Sequence, residues 1–590
     1  MKNKTIKRLL AAVLSCSMLA AALAGCGNSD DGTSKSSESQ TSSVSTSEAS
    51  VADKETEAST GEAFDPKSIT EGVKLTVAVP SDPKISDYND NEVTYMVEEA
   101  LGVDLEFIVF PSEDYKSKLN LMINSGEKLP DIIFSSTGYD TSWITEGAIL
   151  DLTEYYNNPD YCPNIRFASE KSGVDIQTYM SNADGKIFGL PRWEQARNTQ
   201  TFKRMWIYKP WLDALNLEVP ETIDEFYEAC KAIVENDMNG NGKRDEIGMW
   251  GAGLTGVYNG WFGTLMSAYV YAHDDNFRVV ENGEVYMAYA TEEWKEGLKF
   301  IKKFFDEGLI PTEIFTQNQE NYEIQMFSET PTVFSFCQYN TRGTDAKRES
   351  EYTYVTGLKN SEGENGYSYW VLSKPSVGGM ISADCENPEA AFIVGDYMCS
   401  EYVSLCNRYG KQGVNWDYWE NVKDEEWTKD YGMVNGGEPY IVTYLNVIRD
   451  PENEKDIWTD STPHNVNWRQ NGVFIRTAYT LDLRPSMINA TTEEQELGIY
   501  NDKKTQEAIN AYFANKKEEI YDYGPTTIEE SSAIGETVNT LNSYVREMIA
   551  AFLTGGQDID AYWDTYLAEL DKIGIDDVVA VYQTAYDRVH

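Results

Sequence analysis

Ten consecutive residues, 237–246, have the side chains and the spacing of a calcium-binding loop. Oxygen-bearing side chains occupy positions 1, 3, 5 and 9, and position 7 would contribute a backbone carbonyl. Gly242 at position 6 allows the sharp turn by which one loop wraps a hard cation. An EF-hand has a bidentate glutamate at position 12, where this chain has Gly248, so we expect Glu246 at position 10 to substitute for it. The predicted ligands are Asp237, Asn239, Asn241, Lys243, Asp245 and Glu246.

A calcium ion in this loop would have a structural role. The ligands of the loop nearly fill the coordination sphere, so no position stays open for the water or substrate that a catalytic metal must bind. The alternative is an ordinary Asn-Gly turn that joins a helix to a strand. The regular spacing of oxygen-bearing side chains favours calcium.

Aromatic residues stand next to hydrogen-bonding side chains at several places in a chain with 14 Trp and 38 Tyr. Sugar rings present apolar C–H faces that stack on flat aromatic rings, and hydroxyl groups that need amide, carboxylate or guanidinium partners. Most aromatic residues of a large chain pack in its core, and Trp563 is expected there. We expect at least two other tryptophans in a binding cleft. The predicted ligand-binding residues are Asp82, Trp193, Trp261, Tyr339, Asn415, Trp416 and Arg469.

Catalytic motifs are scarce, and we predict that the protein is not an enzyme. Neither a G-x-S-x-G elbow nor an H-E-x-x-H pair occurs in the sequence. Residues 251–256 match G-x-G-x-x-G, but that pattern binds dinucleotides only between a buried strand and a helix, and we interpret it as a loop. A carboxylate pair at glycosidase spacing could exist among 97 acidic residues. An anchored polysaccharide-degrading enzyme therefore stays an alternative.

The segments that must position these residues alternate between strand and helix patterns. Short β-type runs are separated by stretches with helical spacing of apolar residues. This alternation predicts an α/β fold with a layered sheet. The strand patterns lie at 73–80, 103–110 and 130–134, and the helix patterns lie at 91–101 and 115–124.

The carboxyl ends of the predicted strands indicate where a ligand would bind, because ligands of open α/β sheets lie beyond those ends. Asp82 follows the first predicted strand by two residues and is therefore a candidate ligand contact. The other residues expected at this edge of a cleft are Ser81, Ser135, Ser136 and Thr137.

The N-terminus has the pattern of an export signal. Four basic residues within the first eight precede an apolar run at 9–23. This run is shorter than the roughly 20 residues that a transmembrane helix needs. The run ends in Leu-Ala-Gly-Cys, which resembles the bacterial lipobox, in which the cysteine is modified with diacylglycerol. We predict a signal peptide at 1–25 and lipidation of Cys26. The alternative is a plain secretory peptide with a chance cysteine, since Cys16 also lies in the apolar run.

Residues 26–72 are expected to form a polar tether behind the lipidated cysteine. Ser, Thr, Glu, Asp and Lys dominate this segment, and Phe64 is its one aromatic residue. Such a composition cannot bury enough apolar area to offset chain entropy, so the segment should be disordered. The folded body would then cover 73–590, and no later apolar run is long enough to span a membrane.

The formal charge of −48 argues against nucleic acid and anionic membrane surfaces as partners. Membrane attachment would therefore occur through the lipid anchor only. The cysteines of the body show no C-x-x-C spacing, so we expect neither zinc nor redox chemistry, and we favour reduced thiols over disulfides. These cysteines are Cys162, Cys230, Cys337, Cys385, Cys399 and Cys406.

Several segments, in order along the chain, resemble motifs of the family 1 extracellular solute-binding proteins, the lipoproteins that deliver sugars to ABC importers. The runs at 129–133 and 146–153 are similar to "PDI … G-x-L-x-D-L", and 184–191 is similar to "DGKIYGLP". Residues 211–226 are similar to "WLDKLGLEVPTTWDEF", in which Thr222 and Glu225 predict a capping box. The segments at 386–391 and 552–586 resemble the closing segments of the family.

This resemblance implies a periplasmic-binding-protein-like fold of type II, with two hinged lobes around a central cleft. Lobe 1 would cover roughly 73–190 plus a later segment, and lobe 2 roughly 200–330 plus C-terminal parts. The family places ligand contacts just after its "GLP" run and near a "G-x-x-W" segment, which favours Trp193 and Trp416. The use of Glu246 in the calcium loop resembles alginate-oligosaccharide-binding members of the family.

The function implied by the resemblance is capture of a carbohydrate at the extracellular face of the cell membrane. An oligosaccharide is the favoured ligand. The protein would deliver this ligand to two ABC permease subunits powered by a cytoplasmic ATPase. We expect it to act as a monomer. A receptor for peptides or other non-sugar solutes is a further alternative.

Overall fold

The computed structural model describes residues 64–135, 138–254, 258–341, 346–425, 440–443, 463–477, 480–482 and 492–590. The strands in chain order are β1 (Lys74–Pro80), β2 (Asp104–Phe110), β3 (Ile132–Phe134), β4 (Leu190–Glu194), β5 (Arg204–Tyr208), β6 (Ile247–Trp250), β7 (Arg278–Glu281), β8 (Glu284–Met287), β9 (Val333–Gln338), β10 (Tyr352–Val355), β11 (Ser376–Ile381), β12 (Trp416–Tyr418), β13 (Ile441–Thr443), β14 (Phe474–Arg476) and β15 (Thr480–Asp482). The α-helices are α1 (Lys67–Thr70), α2 (Glu92–Leu101), α3 (Tyr115–Ser125), α4 (Thr141–Thr145), α5 (Thr153–Asn157), α6 (Pro163–Ser172), α7 (Ile176–Met180), α8 (Arg197–Gln200), α9 (Lys209–Leu215), α10 (Ile223–Val234), α11 (Gly260–Met266), α12 (Glu292–Asp306), α13 (Gln319–Met326), α14 (Ala346–Glu351), α15 (Pro388–Met398), α16 (Glu401–Tyr409), α17 (Trp419–Val422), α18 (Thr492–Ala514), α19 (Ile528–Leu553), α20 (Ile559–Ile573) and α21 (Ile575–Asp587).

The first sheet has six strands in the order β14-β4-β11-β3-β1-β2. Strand β1 runs parallel to β2 and β3, whereas β11 is antiparallel to β3 and β4. The elements β1, α2, β2, α3 and β3 follow one another along the chain as the periodicity of residues 73–134 predicted. The α/β prediction is therefore confirmed.

Helices cover both faces of the first sheet. Leu75, Val77 and Val79 of β1 belong to one hydrophobic cluster, which includes residues of α2, α15 and α16. Ala78 belongs to a cluster on the opposite face together with Leu119 of α3. Successive residues of a strand face opposite sides of a sheet, so an unbroken apolar run indicates burial on both faces. We call these two clusters the first core.

The body begins before residue 73. The ring of Phe64 lies 5.8 Å from the ring of Tyr161, and both pack against the first core. Thr70 of α1 is fully buried, and its hydroxyl donates a hydrogen bond of 2.5 Å to the carbonyl of Leu101. Residues 64–72, which we expected in the tether, are therefore part of the body, because these contacts offset the entropy cost of ordering the segment.

A buried carboxyl group joins two helices of the first core. Asp396 of α15 is 2% exposed, and its oxygens accept hydrogen bonds from the first turn of α6, at 2.9 Å from the Ile165 backbone N and 2.8 Å from Nδ2 of Asn164. Burial raises the pKa of Asp396 to about 6, although these hydrogen bonds act in the opposite direction. Folding therefore favours the protonated carboxyl group at this position.

We expect Asp396 to make the free energy of unfolding fall as the pH rises. The pKa of this group is about 6 in the folded protein and about 3.9 in an unfolded chain, so its stabilising contribution is complete below pH 4 and is lost as the pH passes 6. The difference amounts to roughly 3 kcal/mol. Urea unfolding of the wild type and of Asp396→Asn between pH 4 and pH 7 measures it. Parallel pH dependences of the two proteins would contradict the assignment.

The second sheet has four strands in the order β10-β5-β9-β6, and it is covered by α10, α11, α12 and the C-terminal helices. Its hydrophobic cluster, which we call the second core, contains Trp206 of β5, Phe336 of β9 and Trp294 of α12. Trp563 of α20 is 2% exposed in this cluster, as predicted. No helix in the described ranges, including the long α18 and α19, has a stretch apolar enough to cross a membrane.

The start of α10 confirms the predicted capping box. The Thr222 hydroxyl accepts a hydrogen bond of 3.2 Å from the backbone N of Glu225, and Oε2 of Glu225 accepts one of 3.1 Å from the backbone N of Thr222. Two otherwise unpaired backbone N–H groups are satisfied in this way. The helix leads directly into the loop that we predict to bind calcium.

Two segments within the described ranges connect the first sheet with the second. The first, 195–203, joins β4 to β5, and the second, 356–375, joins β10 to β11. They are bonded to each other, since the backbone N of Val371 donates to the carbonyl of Gln200 at 3.0 Å. Two neighbouring segments of this kind can act as a hinge between bodies on either side.

The cysteines of the body are buried and do not pair with one another. All six that we expected to be reduced thiols are free in the structure. Burial raises the pKa of the Cys337 thiol to about 12, so little reactive thiolate forms there. The preference for reduced thiols is therefore confirmed.

Candidate functional site

The carboxyl edge of the first sheet carries charged and amide side chains. Asp82 lies two residues after β1, and its Oδ2 is 3.5 Å from Nε of Arg469. The Arg469 and Asp82 side chains are 14% and 24% exposed. Arg469 and the following Gln470 have φ angles of 51° and 62°, a left-handed turn just before β14. Two of the predicted ligand contacts are thus adjacent.

Glu194, the last residue of β4, extends this charged edge. Its carboxylate forms a salt bridge with Arg476 of the neighbouring β14 and accepts a hydrogen bond of 3.2 Å from Nε2 of Gln470. The Arg476 side chain is 4% exposed, and its guanidinium lies 4.9 Å from the ring centroid of Tyr409. We call Asp82, Glu194, Arg469, Gln470 and Arg476 the edge cluster.

Tyr339, at the end of a strand of the second sheet, interacts electrostatically with the edge cluster. It directly follows β9, and its ring stacks on Phe202 of the first connecting segment with 5.3 Å between centroids. Burial raises the pKa of the Tyr339 hydroxyl, and the negative charge of Glu194 raises it further. The predicted contact Tyr339 is therefore within the electrostatic influence of Glu194 in the edge cluster.

The three predicted tryptophans are packing residues in this structure. Trp261 and Trp416 are 0% exposed, and Trp193 is 2% exposed. Each indole N–H has a protein acceptor at 2.8–2.9 Å, so none is left for a ligand. We expected these rings in the cleft, and the structure corrects that expectation because their faces are covered by the cores. Asn415 is half-buried, and its Oδ1 accepts from the Lys411 backbone N at 2.9 Å.

An open crevice of about 230 Å³ lies at another part of the same sheet edge. It is bounded by residues that follow β3, by the end of α7, by the start of β11 and by the segment 523–531. The volume is just below the range of about 300–1,000 Å³ typical of small-molecule sites. Its lining includes the side chains of Tyr139, Tyr179, Asn182, Ser376, Tyr523 and Thr526. We call this space the tyrosine crevice.

The segment 521–528 spans from one core to the other and forms one wall of the tyrosine crevice. On the side of the first core, the Tyr523 hydroxyl donates to the carbonyl of Thr178 at 3.0 Å, and Thr526 accepts from the backbone N of Ala183 at 3.1 Å. On the side of the second core, the Tyr521 ring lies 5.6 Å from that of Tyr582. One wall of the tyrosine crevice therefore comes from a segment that contacts both cores.

The sequence did not predict the tyrosine crevice, although one group of predicted cleft residues lies next to it. We expected the residues after β3 at the cleft edge, and Tyr139 lies just beyond them; Ser136 and Thr137 are outside the described residues. Tyr179 and Tyr523 gave no such signal. Their rings lie 4.8 Å apart although the residues are distant in sequence.

The predicted calcium loop joins α10 to β6 and is organised around its acidic side chains. Oε1 of Glu246 accepts hydrogen bonds from the backbone N atoms of Met238 at 2.7 Å and Asn239 at 3.0 Å. The carboxylate of Asp237 accepts from the backbone N atoms of Asn241 at 3.0 Å and Gly242 at 2.8 Å. The side chains thus point toward the inside of the turn.

Amide and carboxylate groups converge in the second half of the loop. Nδ2 of Asn241 lies 3.0 Å from Oδ1 of Asp245, and Nδ2 of Asn239 lies 3.2 Å from the same oxygen. Gly242 has a φ of 84°, as the sharp turn at position 6 requires. Among the described residues, no group of three acidic, histidine or cysteine side chains could hold a metal alone. The loop would therefore also need its amide and carbonyl oxygens.

The surroundings of positions 10 and 12 explain why this loop has Gly248 where an EF-hand has a bidentate glutamate. A Cβ at Gly248 would lie 2.8 Å from the Leu309 carbonyl oxygen, so a glutamate cannot be accommodated there. Glu246 is 4% exposed, and its Oε2 has no hydrogen-bond partner within the described chain. A buried carboxylate oxygen without a partner is costly unless a cation or proton compensates it. The residues present therefore fit calcium.

Comparison with known proteins relates this chain to extracellular solute-binding proteins, among them a substrate-binding protein of an ABC transporter. Residues 89–400, more than half of the chain, match the family of bacterial extracellular solute-binding proteins. The chain is 25% identical over 534 residues, 87% of its length and 89% of the relative, to the fructooligosaccharide ABC transporter substrate-binding protein FusA of Streptococcus pneumoniae serotype 4.

Solved structures show the same fold. The S. pneumoniae FusA EF-hand mutant in complex with fructo-nystose has a TM-score of 0.68 at 21% identity, covering 88% of this chain and 99% of that chain. The alginate-binding protein AlgQ2 without calcium ion has a TM-score of 0.62 at 19% identity, covering 88% and 98%. The predicted two-lobed fold of type II is therefore confirmed. By the extent of the family match and by its fold, this chain belongs to the bacterial extracellular solute-binding proteins.

Proposed function

We propose that this protein captures an oligosaccharide outside the cell and delivers it to an ABC importer. The observation that carries the proposal is the relation, over 87% of the chain, to a substrate-binding protein named for fructooligosaccharide transport. The site chemistry supports it, because the sheet edge combines amide, carboxylate and guanidinium groups with half-buried tyrosine rings. Transport requires no covalent step from the receptor, so the proposal is a binding protein and not an enzyme.

Capture would use the two cores as lobes. The first lobe would comprise roughly 73–190 and a later segment, and the second roughly 200–330 and C-terminal parts, with 195–203 and 356–375 as the hinge. A ligand that contacts both lobes stabilises the closed arrangement by its extra affinity for that state. The proposed contacts are Asp82, Arg469 and Tyr339, with Asn415 farther from the cluster and with Trp193, Trp261 and Trp416 supporting the lobes from within.

Delivery would follow from docking of the closed receptor, as a monomer, on two permease subunits with a cytoplasmic ATPase. This step is proposed from the family, whose members serve transporters. The anchor on Cys26 would keep the receptor at the extracellular face of the membrane. The polar segment behind it would act as the tether.

We also propose that the loop 237–246 binds one structural calcium ion. The ligands would be the side chains of Asp237, Asn239, Asn241, Asp245 and Glu246 and the backbone carbonyl of Lys243. The unpartnered Oε2 of buried Glu246 supports this assignment. The ion would fix the connection between α10 and β6, on which the second sheet depends.

The fate of the ligand separates a receptor from an enzyme. We expect the mature protein to form a one-to-one complex with a fructooligosaccharide and to return it unchanged after prolonged incubation, as measured by chromatography and a reducing-end assay. New reducing ends in proportion to protein concentration would instead identify a polysaccharide-degrading enzyme. Tight binding of a peptide without binding of any saccharide would identify a receptor for non-sugar solutes.

A further inference from the structure

We infer that the tyrosine crevice binds neutral sugar rings and excludes uronates and other anionic saccharides. The inference rests on the proposed function, because it names the class of oligosaccharide that the same receptor would take. It concerns a part of the sheet edge that contains none of the ligand contacts predicted from the sequence. We base the inference on the chemical character of the side chains that line the tyrosine crevice.

Charged side chains are absent from the described lining of the tyrosine crevice. In the whole chain 25% of residues are charged, so about four of the sixteen lining residues would be charged at that frequency, and none is. Two cations lie behind this wall, and both have partners. Lys374 lies 5.5 Å from the ring centroid of Tyr523 and donates to the carbonyl of Asp522. Arg588 donates to the carbonyl of Pro525 at 2.9 Å and forms a salt bridge with Glu530. The lining itself presents dipoles and rings.

The lining offers the two kinds of contact that a sugar ring needs. Tyr179 and Tyr523 lie at 4.8 Å with their planes inclined by 52°, and Tyr139 adds a third ring. Flat rings of this kind can cover the apolar C–H face of a pyranose or furanose. Oδ1 of Asn182 already accepts from two backbone N atoms, at 3.0 Å from Asp184 and 2.9 Å from Lys186. Its amide N–H groups therefore stay available to donate to sugar hydroxyls.

An anionic saccharide finds no cationic side chain among the lining residues, and Lys374 behind the Tyr523 ring is already bonded to the carbonyl of Asp522. A carboxylate removed from water without a cationic partner carries a penalty of several kcal/mol, and the formal charge of −48 adds a repulsive field. The arginines of the edge cluster do not change this, because Arg469 faces Asp82 and Arg476 faces Glu194. A neutral oligosaccharide avoids both costs.

The inference can be tested by calorimetric titration of the mature protein with a neutral fructose-based trisaccharide and with trigalacturonate. We expect saturable binding of the neutral sugar and at least about 100-fold weaker binding of the uronate, the factor that an uncompensated charge costing about 2.7 kcal/mol produces. Equal affinities would overturn the inference and leave the proposed function standing. Absence of heat and of thermal stabilisation with every saccharide would overturn both.

Variants connect this preference to the tyrosine crevice. Tyr179→Ala should weaken binding of the neutral trisaccharide about tenfold, whereas Tyr179→Phe, which keeps the ring, should change it less than about twofold. Ser376→Trp should fill the space and weaken binding at least about tenfold, whereas Ser125→Trp at the exposed end of α3 should not. Melting temperatures establish that each variant is folded. Unchanged affinity in both Tyr179→Ala and Ser376→Trp would place the neutral sugar elsewhere and overturn the inference.

Discussion

Chelation of calcium should destabilise this protein, and Glu246→Gln should remove the dependence of its stability on calcium. Without the ion, the buried Oε2 of Glu246 has no partner among the described residues, and the carboxylates of Asp237 and Asp245 repel it. At a free calcium concentration about 100 times the dissociation constant, loss of the ion removes about 2.7 kcal/mol of stability. Thermal unfolding in calcium and in EDTA measures the effect as a fall of Tm by several degrees.

A matched control is available on the preceding helix. Glu228 is an exposed residue of α10, outside the loop, so Glu228→Gln should keep the full response to calcium. Magnesium should restore less stability than calcium, since it demands a smaller and more regular octahedral shell. If the wild type melts at the same temperature in EDTA and in calcium, the loop is an ordinary turn.

Cys26→Ala should release the protein from the cell surface without changing its affinity for the ligand. The proposed attachment is a single lipid-modified thiol, so its removal leaves no anchor. The polar chain of about 38 residues before Phe64 would have an average end-to-end distance of about 31–37 Å, which keeps the anchor away from a ligand site. Fractionation of cells locates the variant, and titration of the purified protein measures its affinity.

Cys16→Ala is the control for this experiment. Cys16 lies within the apolar run of the predicted signal, so its replacement should leave the protein on the membrane. A Cys26→Ala protein that stays attached would disprove the anchor. Loss of ligand affinity in the released variant would contradict the separation of anchor and receptor.

The local elements of the first core were predictable because their causes are local. Alternating runs such as β1 to β3 follow from apolar periodicity, and the start of α10 follows from the reciprocal hydrogen bonds of Thr222 and Glu225. The boundary at residue 72 was not predictable in this way. Phe64 and Thr70 are ordered by residues far along the chain, and a polar composition gives no sign of those contacts.

The candidate site was only partly predictable, for two physical reasons. A buried tryptophan needs an acceptor for its indole N–H, so polar neighbours accompany core residues such as Trp261 and Trp416 as well as cleft residues. Residues of the tyrosine crevice come together only through tertiary structure, since Tyr179 meets Tyr523 across the segment that joins both cores. The place of Asp82 at the sheet edge was predictable because the end of a strand is a local signal with a fixed place in an α/β sheet, and its role as a ligand contact stays a prediction.

We expect this receptor to bind an oligosaccharide between its two cores. Titration calorimetry of the mature protein against neutral oligosaccharides of increasing length, with peptides as the comparison, measures this binding. We expect saturable one-to-one binding of at least one neutral oligosaccharide and no binding of the peptides. Tight binding of a peptide, with no heat from any saccharide, would contradict it.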